Sequence, residues 1–517
     1  MTKDHPNHKW WTLFAMCFAL FMIMLDNTIV NVALPSIQRS LKTSPANLEW
    51  TVNAYVLAFA ALILLGGKLG DRFGRRRMFI VGLAIFTASS AACALAQTDA
   101  QLIGARTIQG VGAALLNPLS LSIIVAAFPR EQLSTAIGAW AGISGLGLAV
   151  GPLLGGFLVE QYSWSAVFWV NVPVGIIAMG VTAWAVAESR DPTARRLDLV
   201  GTVLVTASLF LLTWGLIKTT ENAWLSAYTL SFLAGAAALM VAFVVWESRV
   251  DDPMIPLDFF RRRAFAVSSI IVTLVGVGLF GIIFYLTLYF QNVKGYSPQE
   301  AGVRSLPMTM MILFVAPLGG RLVSKVGPRV LMTTGMLMAG FGLFALSFLQ
   351  VDSSYNMIWP FQILMGAGMA LTMPSVSSTG MAAVEQAKAG IASGVINASR
   401  QVGGALGIAA LGSIGTSIAA ANWHDKVSSL PVPASIQDKL LALTPAVQGG
   451  QGRIIGQKTG RPELGHQALL SFQHGVRGAF LAGSIMLLAA AAVAFVGMRK
   501  VPAPSRAPGR APAAIEA

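Results

Sequence analysis

Charge is scarce in this chain. Of its 517 residues only 11% are Asp, Glu, Lys or Arg, against 55% hydrophobic, where a soluble domain carries roughly 25% charged residues. That shortage excludes a water-soluble globule, and a mean hydropathy of +0.67 places the chain in lipid. Cysteine is scarcer still. Cys17 and Cys93 both fall in apolar runs, which argues against a disulfide framework or a thiolate metal site. No GxxxxGK[ST] pattern occurs, so ATP-driven transport has no signature. No nucleophile–base pair or metal-ligand cluster marks an enzyme, and neither a metal nor another resident cofactor is expected. The first apolar run is too long for a signal peptide and lacks a small-residue cleavage site; it is expected to persist as a span.

Long apolar runs are what the chain has instead. A spanning helix needs about 20 such residues, and fourteen runs qualify: 10–33, 48–67, 78–97, 102–125, 136–158, 166–187, 198–217, 227–246, 264–290, 300–321, 330–349, 357–376, 391–418 and 477–498. The net charge of +14 could suggest a nucleic-acid partner, but its placement follows the membrane. With the N-terminus inside, inner segments hold 23 Lys and Arg, while the short outer loops hold 5. That bias orients the chain with both termini cytoplasmic, and no nucleic-acid partner is expected.

The glycines carry a repeat. GGKLGDRFGRRR at 66–77 aligns with GGRLVSKVGPRV at 319–330, and RTIQGVGAALLNP at 106–118 with QILMGAGMALTMP at 362–374. Gly138, Gly147, Gly151 and Gly156 match Gly394, Gly403, Gly407 and Gly412 in the same order. Two related halves follow, a six-helix bundle over 10–188 and another over 264–498. Two inserted helices lie between them at 198–246. Residues 1–9 form a cytoplasmic N-terminus, 421–475 an outer loop with room for a short surface helix, and 499–517 a Pro-, Ala- and Arg-rich tail expected to be disordered. Parallel halves around a midplane site are a transporter architecture.

These blocks resemble the major facilitator superfamily, specifically its 14-span drug:proton antiporter branch. GKLGDRFGRRR is similar to the superfamily's loop motif between the second and third helices, and LDNTIVNVALPSI to the branch's first-helix motif. RTIQGVGAA resembles the fourth-helix motif and GLGLAVGPLLGG the fifth-helix antiporter motif. The resemblance covers the core but not 421–475 or the tail. It departs at Trp164-Ser165-Ala166, where the family often has Trp-Arg-Trp. It implies an all-α membrane protein with the major-facilitator fold, two pseudo-symmetric six-helix bundles and two inserted central helices, fourteen spans in all.

Asp26 sits within the first apolar run, where a carboxylate costs at least ~2.5–3.5 kcal/mol. Neutral, it is tolerable in a dry pocket; ionised, it attracts a cation or pairs with Arg106, the second buried charge. The resemblance links Arg106 to proton coupling, and Asp26 and Arg106 are the proton-coupling candidates. They need not touch to influence each other. Two plainer readings compete: Asp26 as a packing device beside Asn27, Thr28 and Asn31, and Arg106 snorkelling to the inner interface. Gly67, Gly70, Asp71, Arg72, Gly74 and Arg75 are candidates for a conformational gate at the inner face, against a plain positive-inside loop. Gly147, Gly151, Pro152, Gly155 and Gly156 are candidates for a hinge and leak barrier, against generic small-residue packing. Substrate-cavity candidates are Phe18, Phe21 and Met22 on the first helix, Asn117 on the fourth, Phe284 and Tyr285 on the ninth, and Met365 and Met369 on the twelfth. For each of these, packing or lipid contact is the alternative.

The expected function is proton-coupled export of hydrophobic, cationic drugs or toxic compounds across a bacterial cytoplasmic membrane. The close rival is a dedicated exporter of one antibiotic or metabolite. The partners expected are a small substrate, protons and lipid. A monomer is expected, and the sequence names no accessory efflux protein.

Overall fold

The computed structural model describes residues 8–190, 198–220, 222, 224–251, 253–385 and 389–499. The first seven residues, the 191–197 connection and the tail from 500 onward lie outside them, as do the surroundings of Gly142 and Gly145 in the fifth helix. No strand occurs among the described residues. Fourteen long helical segments occupy the fourteen apolar runs. They are α1 (His8–Leu41), α2 (Pro45–Phe73), α3 (Arg75–Ala94), α4 (Asp99–Ala127), α5 (Arg130–Gln161), α6 (Ala166–Ala185), α7 (Leu199–Ile217) and α8 (Ala227–Glu247). The second half continues with α9 (Arg263–Val293), α10 (Pro298–Val326), α11 (Pro328–Leu346), α12 (Trp359–Ala382), α13 (Ala389–Ser428) and α14 (Pro462–Gly497). Among the described residues twelve of these are long and apolar enough to cross a membrane, α5 and α12 being the two outside that number.

Helix starts follow local chemistry. Ser44 accepts the Asn47 N–H at 3.2 Å to open α2, and Thr98 does the same for α4 through Gln101. Ser297 and Glu300 close a full capping box on α10, satisfying two otherwise orphaned donors. In lipid every backbone group must find such a partner internally, so helices carry the chain across.

The repeat is visible in how glycines seat helices. Gly66 meets the Ala114 carbonyl, and Gly319 meets the equivalent Ala370. Gly67 rests on Pro118 and Gly320 on Pro374, a Cβ on each lying 3.6 and 3.8 Å from the proline Cβ. Gly110 abuts the Tyr55 carbonyl, and Gly366 abuts that of Met308. Accordingly α1 packs on α5 as α9 packs on α13, and α2 on α4 as α10 on α12. The two bundles meet along two seams, α2 with α13 and α5 with α10. The inserted pair packs on itself, α7 lying also against α2 and α13. There Trp50 meets Trp214 at 5.6 Å between ring centroids, and Thr219 is hydrogen-bonded to Ser413.

The stretch over 421–475, expected as a loop, is mostly helical. α13 runs on to Ser428, α14 begins at Pro462, and Ala434–Leu441, Thr444–Gln448 and Gly452–Thr459 form three short helices between them. They enclose a core of Trp423, Val427, Leu440, Val447, Ile455 and Ala468. Asn292 at the end of α9 donates to the Gly449 carbonyl at 2.9 Å, and Gln38 of α1 also lies against Gly449. This cap therefore touches both bundles. Its apolar positions are spread over short helices, so no single run announces it.

Candidate functional site: a buried ion pair

Asp26 and Arg106 touch. The Arg106 Nη1 lies 2.6 Å from Asp26 Oδ2, with both side chains essentially without solvent contact at 1% and 0%. Asp26 Oδ1 accepts from Gln109 Nε2 and from Asn171 Nδ2, each at 3.0 Å. Arg106 Nη1 also reaches Gln109 Oε1 at 2.7 Å, and its Nε donates to the Thr51 carbonyl at 3.2 Å. The guanidinium lies 4.2 Å from the Tyr55 ring centroid. Asn171 is held in turn by Ser90 Oγ at 3.1 Å, which donates to the Phe168 carbonyl. Five helices, α1, α2, α3, α4 and α6, thus converge on one carboxylate inside the first bundle.

This geometry shows where both charges go. Arg106 does not snorkel; it is fully buried and neutralised at close range. Asn27, Thr28 and Asn31 donate to carbonyls one turn back on their own helix and not to Asp26. A buried charge pair of this kind is costly to desolvate, and removing one partner costs about 3–5 kcal/mol. The network is charge-balanced only while Asp26 is ionised. A proton on Asp26 would leave the Arg106 cation without its counter-charge in a dry bundle.

Gln109, Asn171, Tyr55, Thr51 and Ser90 escaped the sequence reading. The signal was present for two of them. Gln109 lies one turn after Arg106 in RTIQGVGAA, and Asn171 is the polar residue in FWVNVPVG.

The fifth-helix glycines connect this pair to the other bundle. A Cβ on Gly147 would lie 2.8 Å from Met24 Cβ, and one on Gly155 would lie 3.0 Å from the Ile29 carbonyl; Gly151 sits on Thr28. These contacts bracket Asp26 along α1. On the opposite side, a Cβ on Gly156 would lie 2.6 Å from the Pro298 carbonyl of α10, and Gly302 of α10 rests on the Pro152 carbonyl. Small residues permit such backbone approach.

The gate candidates lie at the junction of α2 and α3. Asp71 pairs with Arg75 at 2.8 Å, and the Arg75 N–H donates to the Ser189 carbonyl. Glu188 caps the start of α3 through the N–H groups of Arg76 and Arg77, at 3.1 and 3.2 Å. Gly70 packs on Leu119, and Arg72 stands over the Phe73 ring at 5.4 Å. The partners seen here all belong to the first bundle. In the second half Arg329 repeats the role of Arg76: Arg76 donates to the Ala183 carbonyl and Arg329 to the Phe495 carbonyl.

Of the cavity candidates, Phe18 and Phe21 are half-buried, while Met22, Asn117, Phe284, Tyr285, Met365 and Met369 are buried. Met365 packs against Gly342 of α11, and the Tyr285 hydroxyl donates to the Gly412 carbonyl at 3.0 Å. Arg400 on α13 makes one long contact, 3.5 Å to Asn397 Oδ1.

Comparison with known proteins agrees with this architecture. The profile of the Major Facilitator Superfamily matches residues 16–408. The tetracenomycin C resistance and export protein of Streptomyces glaucescens is 36% identical over 97% of this chain and 94% of its own length. The multidrug resistance protein Stp of Mycobacterium tuberculosis (strain CDC 1551 / Oshkosh) is 35% identical over 95% of this chain and 92% of its own. Among solved structures, a bacterial homolog of the human lysosomal transporter Spinster superposes with a TM-score of 0.67 at 19% identity, covering 98% of this chain and all of that one. The chain belongs to the major facilitator superfamily and is a multi-pass membrane transporter, not an enzyme.

Proposed function

We propose that this transporter is a proton-coupled antiporter that exports hydrophobic, cationic drug-like compounds across the bacterial cytoplasmic membrane, with both termini on the cytoplasmic side. The observation that carries the reading is the buried Asp26–Arg106 pair with its Gln109 and Asn171 donors. Both oxygens of Asp26 are occupied by side chains of the first bundle, so a substrate cation does not reach it in this conformation. Coupling is therefore indirect. Protonation of Asp26 loosens α1 from α4 and α6, and α1 is the surface on which α5 rests beside the second bundle. The substrate is a small molecule, and the relatives named for drug resistance and export support an outward direction. The relative named for tetracenomycin C favours a second reading, export of one antibiotic on the same scaffold.

Ethidium efflux from cells expressing the wild type and Asp26→Asn, with and without a protonophore, tests the proposal. The wild type is expected to extrude dye, the protonophore to stop it, and Asp26→Asn to be inactive although normally inserted. Efflux by Asp26→Asn at the wild-type rate would remove Asp26 from the mechanism. A wild type that moves no dye but confers resistance to one antibiotic would establish the narrow reading.

A further inference from the structure

A second carboxylate is buried in this protein, in a place the ion pair does not reach. Glu49 lies one turn into α2 and is 1% exposed. Its Oε2 has no hydrogen-bond partner. It points across the seam between the bundles at α13, where a Cβ on Gly412 would lie 2.7 Å from that oxygen. The same Gly412 carries the carbonyl that accepts the Tyr285 hydroxyl. Tyr285, from α9, is the titratable side chain that meets the same Gly412; α13 presents Gly412 backbone there. No ion pair to Glu49 is present among the described residues.

The repeat shows what this position is otherwise. The equivalent of Glu49 in the second half is Gly302, and the equivalent of Gly412 in the first half is Gly156. In the sister seam those two glycines close α5 on α10 by backbone contact alone, Gly302 on the Pro152 carbonyl and Gly156 on Pro298. At this position the sister seam closes glycine on backbone, its own acid, Glu160 of α5, accepting the Gln299 N–H of α10 at 3.0 Å, while the α2–α13 seam closes over an acid whose Oε2 has no partner. Burying an ionised carboxylate without a partner is far more costly than burying a neutral one.

We propose that Glu49 is a second proton-binding site, set in the seam between the bundles at their outer end, and that this seam closes when Glu49 takes a proton from the outer water. The proposal rests on the antiport reading and on the orientation read from the basic residues. Asp26 and Glu49 divide the work. Asp26 has a cation and two amide donors inside one bundle, so its ionised form is compatible with a packed state. Glu49 lacks them, so its ionised form is compatible only with a parted, wetted seam. Acid outside thereby favours the outward-closed conformation.

Distance measurement between spin labels tests this without any transported substrate. Cysteines are introduced at Tyr162, 73% exposed at the end of α5, and at Met357, 60% exposed before α12, with Cys17 and Cys93 replaced by Ala. The full chain in lipid nanodiscs is measured from about pH 5 to about pH 9, a range that brackets carboxylates with displaced titration. The wild type is expected to lose its short-distance population severalfold toward alkaline pH. Glu49→Gln should keep the acid distribution throughout, Glu49→Asp should respond with a displaced midpoint, and Asp26→Asn should still respond. A wild type insensitive to pH, or a Glu49→Gln variant that responds like the wild type, overturns the proposal. If Glu49→Gln does not fold, an unchanged midpoint in Glu49→Asp does the same. Failure of dye efflux bears on the antiport reading and leaves this measurement intact.

Discussion

The two bundles share a skeleton and differ in charge. Gly403 meets Thr273 as Gly147 meets Met24, and Gly407 meets Val277 as Gly151 meets Thr28. This registration puts Val275 where the first bundle has Asp26, Gln362 where it has Arg106, and Met365 where it has Gln109. Val275, Gln362 and Met365 are all fully buried. The comparison separates what the fold needs from what the proposed coupling needs. Close helix packing survives with Val275, Gln362 and Met365 in place of Asp26, Arg106 and Gln109, so the ion pair in the first is not a condition of the architecture. It is an addition to one half, and a costly one.

Replacing first-bundle residues by their second-bundle counterparts is the direct way to break this comparison. The largest effect is expected from Arg106→Gln. It leaves Asp26 buried without its cation, at about 3–5 kcal/mol, so efflux should vanish and detergent-extracted protein should melt earlier. Adding Asp26→Val to Arg106→Gln gives the first bundle the neutral residues that the second has at these two positions. That double variant should regain thermal stability toward wild type while remaining inactive. If it still pumps in a protonophore-sensitive way, proton coupling does not reside in this pair.

A smaller effect is expected from Gln109→Met. The substitution removes one donor to Asp26 but leaves Asn171 and Arg106 in place. A hydrogen bond to a charged group is worth ~1.5–3 kcal/mol, so efflux should fall about tenfold or more and yet remain measurable above the Arg106→Gln background. Equal loss in both variants would mean that the network acts as one unit and not as a pair with auxiliaries.

Much of this was legible in the residues themselves. Apolar runs of spanning length gave the helices, and the recurrence of Gly66, Gly74 and Pro118 at Gly319, Gly327 and Pro374 gave the two halves. Asp26 and Arg106 stood out because charge is rare in such runs. Their contact was not legible, because helical spacing says which residues share a face but not toward which neighbour that face turns. Met365 illustrates the same limit: its spacing from Met369 puts the two on one face, and its packing against Gly342 was not in that spacing. Glu49 was passed over for a different reason. It lies at the edge of an apolar run, where an acid reads as interfacial, and the α13 backbone that lies against it is not legible from that run.

The smallest effect sharpens the comparison at the inner ends, where the two copies of the loop motif keep a glycine with positive φ. Gly74 has φ +108° and Gly327 has φ +89°, a region costing other residues of order 1–3 kcal/mol. The backbone strain of an alanine should thus be similar at both. Their surroundings differ. A Cβ on Gly74 would lie 2.8 Å from the carboxyl carbon of Glu188, the residue capping α3, whereas nothing lies within 4 Å of one on Gly327. Gly74→Ala therefore adds displacement of the cap to the strain, and Gly327→Ala carries the strain alone. Melting in detergent should rank wild type above Gly327→Ala and Gly327→Ala above Gly74→Ala, with efflux reduced more by the latter. Equal melting temperatures in the two variants would show that Glu188 yields freely and that its cap on α3 contributes little. A larger loss at Gly327 would instead locate the more constrained junction in the second half, where the motif has Ser324 in place of Asp71 and no carboxylate above the turn.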